Sequence, residues 1–131
     1  MAKLIHIMIR VRDLQRSIDF YREAFEFQET HRLDFPSFTL VYLRSEACPV
    51  EIELTLNKDR ETPYEHGDAY GHVAFAVPDL EATHASFVQK GYHPTDIKRL
   101  DRDGKVLASF FFLQDPDGYK IEVLHSDGHY Q

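Results

Sequence analysis

The chain has 131 residues, with 15 Lys and Arg against 22 Asp and Glu, and a formal net charge of −7. This length suggests one domain, or two very small ones that share a core, and the chain is large enough to bury that core without disulfides or structural metals. The composition is too apolar for a disordered chain, and the acidic balance argues against a nucleic-acid-binding protein, because phosphate neutralisation requires clustered Lys and Arg.

The cysteine count and the hydropathy pattern bear on the compartment. The single cysteine, Cys48, excludes an internal disulfide and a metal site built from several thiolates. The N-terminal residues contain no apolar stretch typical of a signal peptide, and no apolar run approaches the ~20 residues that span a bilayer. We therefore expect a cytoplasmic protein with neither a nucleic-acid nor a membrane partner.

The first predicted elements are a strand and a helix. Residues 4–11 alternate between apolar and polar side chains, as a half-buried strand does. Asp13 follows in the position of a helix N-cap, and the helix after it carries one buried apolar stripe. The members of this stripe are Leu14, Ile18, Tyr21 and Phe25. Three further strand patterns follow, at residues 28–34, 38–43 and 50–54.

The same order of elements then repeats. Residues 70–80 (YGHVAFAVPDL) align with residues 4–14 (LIHIMIRVRDL), so that His6 matches His72 and Asp13 matches Asp79. The second helix has the stripe Leu80, His84, Phe87 and Val88, and strands are predicted at 92–99, 106–113 and 119–123, with a turn at 115–118.

Two tandem βαβββ modules follow from this repeat. They occupy about residues 3–57 and 70–125 of a single domain spanning 1–131, and the charged residues 57–69 link them. A module of about 60 residues is marginal alone, so the two must pack together or with those of another chain. The predicted fold class is α+β.

The repeat also predicts which polar side chains share a face, because strand side chains alternate between faces. One His and one Glu of each repeat lie in equivalent places on the face away from the helices: His6, Glu53, His72 and Glu122. Four nitrogen and oxygen donors without sulfur suit octahedral Ni²⁺, Co²⁺, Mn²⁺ or Zn²⁺. A lone strand His or Glu is usually just solvated, but the symmetric duplication favours a metal site.

Several other residues have no clear role in this pattern. The remaining histidines lack an equivalent in the other repeat, and we assign no function to them or to Cys48. Phe110, Phe111 and Phe112 fit either a cavity wall or the packed core. The histidines concerned are His31, His66, His84, His93, His125 and His129.

Over about residues 3–125 the sequence resembles the glyoxalase I (lactoylglutathione lyase) family of the vicinal oxygen chelate superfamily. The motifs are HIMIRVRDLQRSIDFY, IELT with Asn57, AYGHVA and QDPDGYKIEV. The resemblance implies paired modules that form open half-barrel sheets, and a homodimer with shared sites. In such a dimer His6 and Glu53 of one subunit face His72 and Glu122 of the other, and the four match the family's metal ligands one for one.

The resemblance further implies an activity. The small-molecule substrate is the hemithioacetal of methylglyoxal and glutathione, which is isomerised through an enediolate to S-lactoylglutathione. Ni²⁺ or Co²⁺ is favoured as the metal, and Zn²⁺ is possible. Glu122 is the expected catalytic base, with Glu53 as the alternative for the opposite diastereomer. Arg10 and Asn57 match positions that hold the γ-glutamyl end of glutathione, and Lys105 is the candidate for its glycyl carboxylate, without a clean match.

The sequence departs from the family pattern at two further positions. Glu26 stands where the family has Gly at the helix exit, which predicts either a left-handed residue costing about 1 kcal/mol or a different turn. Asp68 is anionic where some members place a cation for glutathione.

Two other functions remain open. An extradiol dioxygenase or a thiol transferase of the same superfamily uses three protein ligands, whereas four are present here. A metal-free small-molecule-binding protein would have no need of these ligands.

Overall fold

The computed structural model describes all 131 residues as two compact units, Met1–Glu65 and His66–Gln131. Each unit consists of a strand, a helix and three further strands, which confirms the α+β class and the two βαβββ modules. The elements of the first unit are β1 (His6–Val11), α1 (Leu14–Phe25), β2 (Gln28–Asp34), β3 (Phe38–Ser45) and β4 (Cys48–Asn57). Those of the second unit are β5 (Val73–Val77), α2 (Leu80–Gln89), β6 (Lys98–Arg102), β7 (Lys105–Gln114) and β8 (Lys120–His125).

The two sheets have the same topology. The strand order is β1-β4-β3-β2 in the first unit and β5-β8-β7-β6 in the second. In both, the first and last strands of the module run parallel, and the remaining pairs are antiparallel. Each sheet is mixed and open. Along the chain, the helix of each unit connects the first strand to the second. The internal repeat in the sequence is therefore a repeat of the fold.

Both helices begin at the predicted caps. Asp13 accepts a hydrogen bond from the backbone N–H of Arg16, and Asp79 accepts one from Ala82. Each carboxylate thereby satisfies one of the donors that the first helical turn leaves unpaired. The predicted stripe of α1 faces the core at Ile18 and Tyr21.

Each unit has its own hydrophobic core beneath its helix. Full burial of one large apolar side chain contributes about 1.5–3 kcal/mol, so the core side chains carry most of the stability of each module. In the first unit the most buried side chains include Val11, Tyr21, Val41, Leu43 and Leu54, and in the second Leu80, Phe87, Phe111, Ile121 and Val123.

Two details of the second module differ from the sequence prediction. The strand expected at 92–99 begins only at Lys98, because Pro94 has no backbone N–H and His93 adopts a positive φ of 55°. Thr95 nonetheless donates its backbone N–H to the carbonyl of Phe112 over 2.8 Å. Val88, expected in the buried stripe of α2, is 56% exposed.

Neither helix has the length and hydrophobicity that a bilayer-spanning segment requires.

Glu26 ends α1 in the left-handed conformation, with φ 59° and ψ 26°. A side chain in this region clashes with its own backbone, whereas Gly adopts it freely. We expect Glu26→Gly to stabilise the protein by about 0.5–1 kcal/mol, which raises Tm by about 2–4 °C. The matched control is Lys90→Gly at the end of α2, where φ is −77°. There the greater freedom of Gly in the unfolded chain should lower Tm. A lower Tm for both variants would contradict this expectation.

Candidate metal centre

The first His–Glu pair lies on neighbouring parallel strands. In the register of β1 and β4, His6 is opposite Glu51, and Glu53 is opposite Met8. Glu53 is therefore the diagonal neighbour of His6 on the same face, and its Oε2 lies 3.2 Å from His6 Nε2. The side chain of His6 is 34% exposed and that of Glu53 is 13% exposed. Both donors are thus accessible but held by the sheet.

The second pair repeats this arrangement. His72 lies immediately before β5, and Glu122 is opposite Ala74, as Glu53 is opposite Met8. His72 Nε2 and Glu122 Oε2 are 3.0 Å apart, and the side chains are 41% and 16% exposed. The structure therefore forms both predicted pairs, one in each unit. No three side chains of His, Cys, Asp or Glu in the chain are grouped so as to hold a metal ion.

Each pair has an aromatic neighbour that the sequence analysis did not assign to the site. Tyr42 of β3 is the register partner of Glu53, and Phe112 of β7 is the register partner of Glu122. The His6 and Tyr42 ring centroids are 5.7 Å apart with an interplanar angle of 70°. The available signal was the alternation in β3, which places Tyr42 on the half-exposed face.

The hydroxyl of Tyr42 donates a hydrogen bond to the Glu53 carboxylate. This bond, together with burial and the negative charges of Glu53 and Glu51, raises the pKa of Tyr42 to about 12. The rings of His6 and His31 also contact Tyr42. Because the bond requires the phenol proton, its contribution to stability is complete below the pKa of a free tyrosine, about 10. That contribution is lost as the pH rises to about 12.

This pKa gives a direct test of the hydrogen bond. In chelator-treated protein, ultraviolet titration of wild type minus Tyr42→Phe should isolate one tyrosine that ionises near pH 12. In the Glu53→Gln background, the same difference should move toward pH ~10, because the acceptor loses its charge. An unshifted value near 10 in the wild-type protein would contradict the hydrogen bond.

Two predicted thiol-binding residues lie farther along the face that carries His6 and Glu53. Arg10 is opposite Thr55, and Asn57 ends β4 and donates its side-chain N–H to the Tyr64 hydroxyl over 3.0 Å. Arg10 lies roughly 13 Å from His6 along the strand, at about 3.3 Å per residue. The Thr55 hydroxyl on this face is buried and has no hydrogen-bond partner. The first unit thus presents a row of polar groups beside its His–Glu pair.

The structure does not bring Lys105 to the second pair. Lys105 begins β7 opposite Arg102, seven residues before Phe112, the register partner of Glu122. That separation is roughly 23 Å along an extended strand. Asp68 is exposed in the segment before His72. Of the three consecutive phenylalanines, Phe111 belongs to the core.

The sequence of the chain is similar to that of a known protein family and of characterised relatives. Residues 3–123 match the family model of the Glyoxalase/Bleomycin resistance protein/Dioxygenase superfamily. The chain is 37% identical over 128 residues to the lactoylglutathione lyase of Haemophilus influenzae, covering 95% of this chain and 93% of the relative.

Solved structures are similar as well. A trypanothione-dependent glyoxalase I from Leishmania major is 36% identical, with a TM-score of 0.75, over 95% of this chain and 87% of the other. Glyoxalase I from Zea mays is 30% identical with a TM-score of 0.81, and the match covers 94% of this chain and 44% of the maize chain.

Proposed function

Because the chain belongs to the Glyoxalase/Bleomycin resistance protein/Dioxygenase superfamily, we propose that it is a metal-dependent lactoylglutathione lyase, a glyoxalase I. Its substrate is the hemithioacetal of methylglyoxal and glutathione. The Haemophilus influenzae relative is a lactoylglutathione lyase, which supports both the reaction and the thiol. The Leishmania major relative depends on a different thiol, trypanothione. Parallel assays with both thiols therefore belong to the test.

The observation that carries this proposal is the spacing within the two His–Glu pairs. Two donor atoms bound at about 2.1 Å in adjacent octahedral positions lie about 3.0 Å apart. The Nε2 to Oε2 distances of 3.2 Å (His6 to Glu53) and 3.0 Å (His72 to Glu122) fit that spacing. Imidazole and carboxylate together suit Ni²⁺, Co²⁺ and Zn²⁺, and we favour Ni²⁺ or Co²⁺.

These four side chains would hold the cation, which supplies Lewis-acid stabilisation of negative charge on the substrate oxygens when it is bound. Each pair belongs to a different unit of the chain, and the two sheets repeat one another. We propose that a homodimer completes two equivalent sites, with His6 and Glu53 of one subunit facing His72 and Glu122 of its partner. In such a two-fold assembly, each of the two sites contains one copy of each His–Glu pair.

The chain's own residues move the proton. Glu122 takes the proton from C1 of the hemithioacetal, and the electron pair of that C–H bond forms the enediolate double bond. Glu122 then returns the proton to C2, and the hydroxyl proton on the C1 oxygen passes to the C2 oxygen. This leaves a thioester carbonyl at C1 and a hydroxyl group at C2, with no net change in composition. Arg10 and Asn57 would bind the γ-glutamyl end of the thiol, and Lys105 remains a prediction for the glycyl carboxylate. A glutathione-containing cytoplasm is the compartment we propose.

Metal removal tests this function. Protein treated with a chelator should lose thioester formation, and titration with Ni²⁺ or Co²⁺ should restore it at about one ion per chain, with Zn²⁺ less effective. The stoichiometry follows because each four-ligand site uses one pair from unit one and one from unit two. A protein that binds none of these ions would instead support a metal-free binding module, and an activity that survives chelation would contradict the metal-dependent mechanism.

A further inference from the structure

The two His–Glu pairs lie in matched surroundings, which makes any difference between them informative. Tyr42 and Phe112 occupy the same register position beside Glu53 and Glu122. Their rings contact the histidine rings in the same geometry. The ring centroids of His6 and Tyr42 are 5.7 Å apart with an interplanar angle of 70°, and those of His72 and Phe112 are 5.5 Å apart with an interplanar angle of 69°. The phenol and the phenyl ring are therefore structural equivalents.

The chemical difference between these equivalents is one hydroxyl group. Tyr42 donates that hydroxyl to the Glu53 carboxylate, whereas Phe112 has no donor to offer Glu122. A donated hydrogen bond occupies a carboxylate lone pair and restricts rotation of the group. Glu53 is thus restrained at a place where Glu122 is not.

The residues two positions before the carboxylates differ as well. Glu51 precedes Glu53 and accepts a hydrogen bond from the Thr30 hydroxyl. Lys120 precedes Glu122, and its Nζ lies 4.1 Å from the centroid of the Phe112 ring. The ammonium group covers the aromatic neighbour of Glu122. The phenyl ring is thereby held in place without a bond to the carboxylate.

From this asymmetry we propose that Tyr42 is a positioning residue, which fixes Glu53 as a static metal ligand and so leaves Glu122 as the mobile carboxylate that transfers the proton. The inference rests on the proposed function, because it concerns the same two carboxylates. It explains why two glutamates in equivalent places of a duplicated fold take different roles. Without the tyrosine hydroxyl, Glu53 gains the freedom that Glu122 has.

A set of conservative variants tests the proposal. In Tyr42→Phe, calorimetric titration of chelator-treated protein with Ni²⁺ should show a Kd about 10-fold higher, as is typical when an outer partner of a ligand is lost. In Glu122→Gln the residual kcat should be very low, and adding Tyr42→Phe should raise it about 10-fold or more at an unchanged KM. A third substitution, Glu53→Gln, should abolish that gain. Tyr130→Phe is the matched control, because Tyr130 lies outside the strands of both sheets and its ring contacts His129, and it should change neither quantity.

The reciprocal variant supplies a second measurement. Phe112→Tyr places a hydroxyl beside Glu122 and should lower kcat about 10-fold while KM stays within twofold. Ni²⁺ affinity within twofold of wild type in Tyr42→Phe, with no recovery in Tyr42→Phe/Glu122→Gln, would overturn the positioning role alone. Failure of the unaltered protein to bind Ni²⁺ would overturn the proposed function, and the inference with it.

Discussion

Replacement of Glu122 by Gln should lower kcat for thioester formation by about 10²–10⁴-fold, the range expected when a general base is lost. Gln keeps the size of the side chain and one oxygen donor, but it cannot accept the C1 proton. The change removes an interaction made in the transition state, so KM should change little. Steady-state kinetics with excess Ni²⁺ measures both constants.

Two comparisons make this expectation specific. Glu46→Gln, an exposed glutamate in the turn between β3 and β4, should retain wild-type kinetics. Glu53→Gln should affect metal affinity more strongly than the proton-transfer step. If Glu122→Gln kept more than a tenth of wild-type kcat while Glu53→Gln lost activity at saturating Ni²⁺, the base would be Glu53.

The order of elements could be predicted from the sequence because each local signal agreed with the fold. The strand pattern around His6 recurs around His72, and Asp13 and Asp79 cap the helices that follow. The prediction was wrong where one residue outweighed the pattern. Pro94 interrupts a run that looks like a strand, since the ring removes a backbone donor and the preceding His93 turns left-handed.

The His–Glu pairs could be predicted because parity within a strand decides which face a side chain occupies. The contact between Tyr42 and Glu53 could not be predicted, because it depends on the register between β3 and β4. No residue in either strand indicates that register from the sequence. Lys105 is a different case, because only the family resemblance suggested its role. Lys105 and Phe112 lie in one continuous strand, β7, whose extended backbone keeps the two residues apart.

The strongest test of the shared site uses two inactive variants together. His6→Ala removes a ligand from the first unit, and His72→Ala removes one from the second. Each alone should lose at least 100-fold in Ni²⁺ affinity, since even loss of an outer partner of a ligand costs about 10–100-fold. In the proposed dimer, a mixed pair of subunits has one site that lacks both histidines and a second site that combines the intact His6 with the intact His72.

Co-expression of the two variants in equal amounts should therefore restore about a quarter of the wild-type activity per chain, because half of the dimers are mixed and each has one complete site of two. Active-site titration with Ni²⁺ should give the same fraction. The control is His6→Ala co-expressed with Glu53→Gln, which removes two ligands of the same unit and leaves every site one ligand short. If both mixtures stay inactive although mixed dimers form, the four ligands belong to one chain, and the exchange of pairs between subunits is wrong.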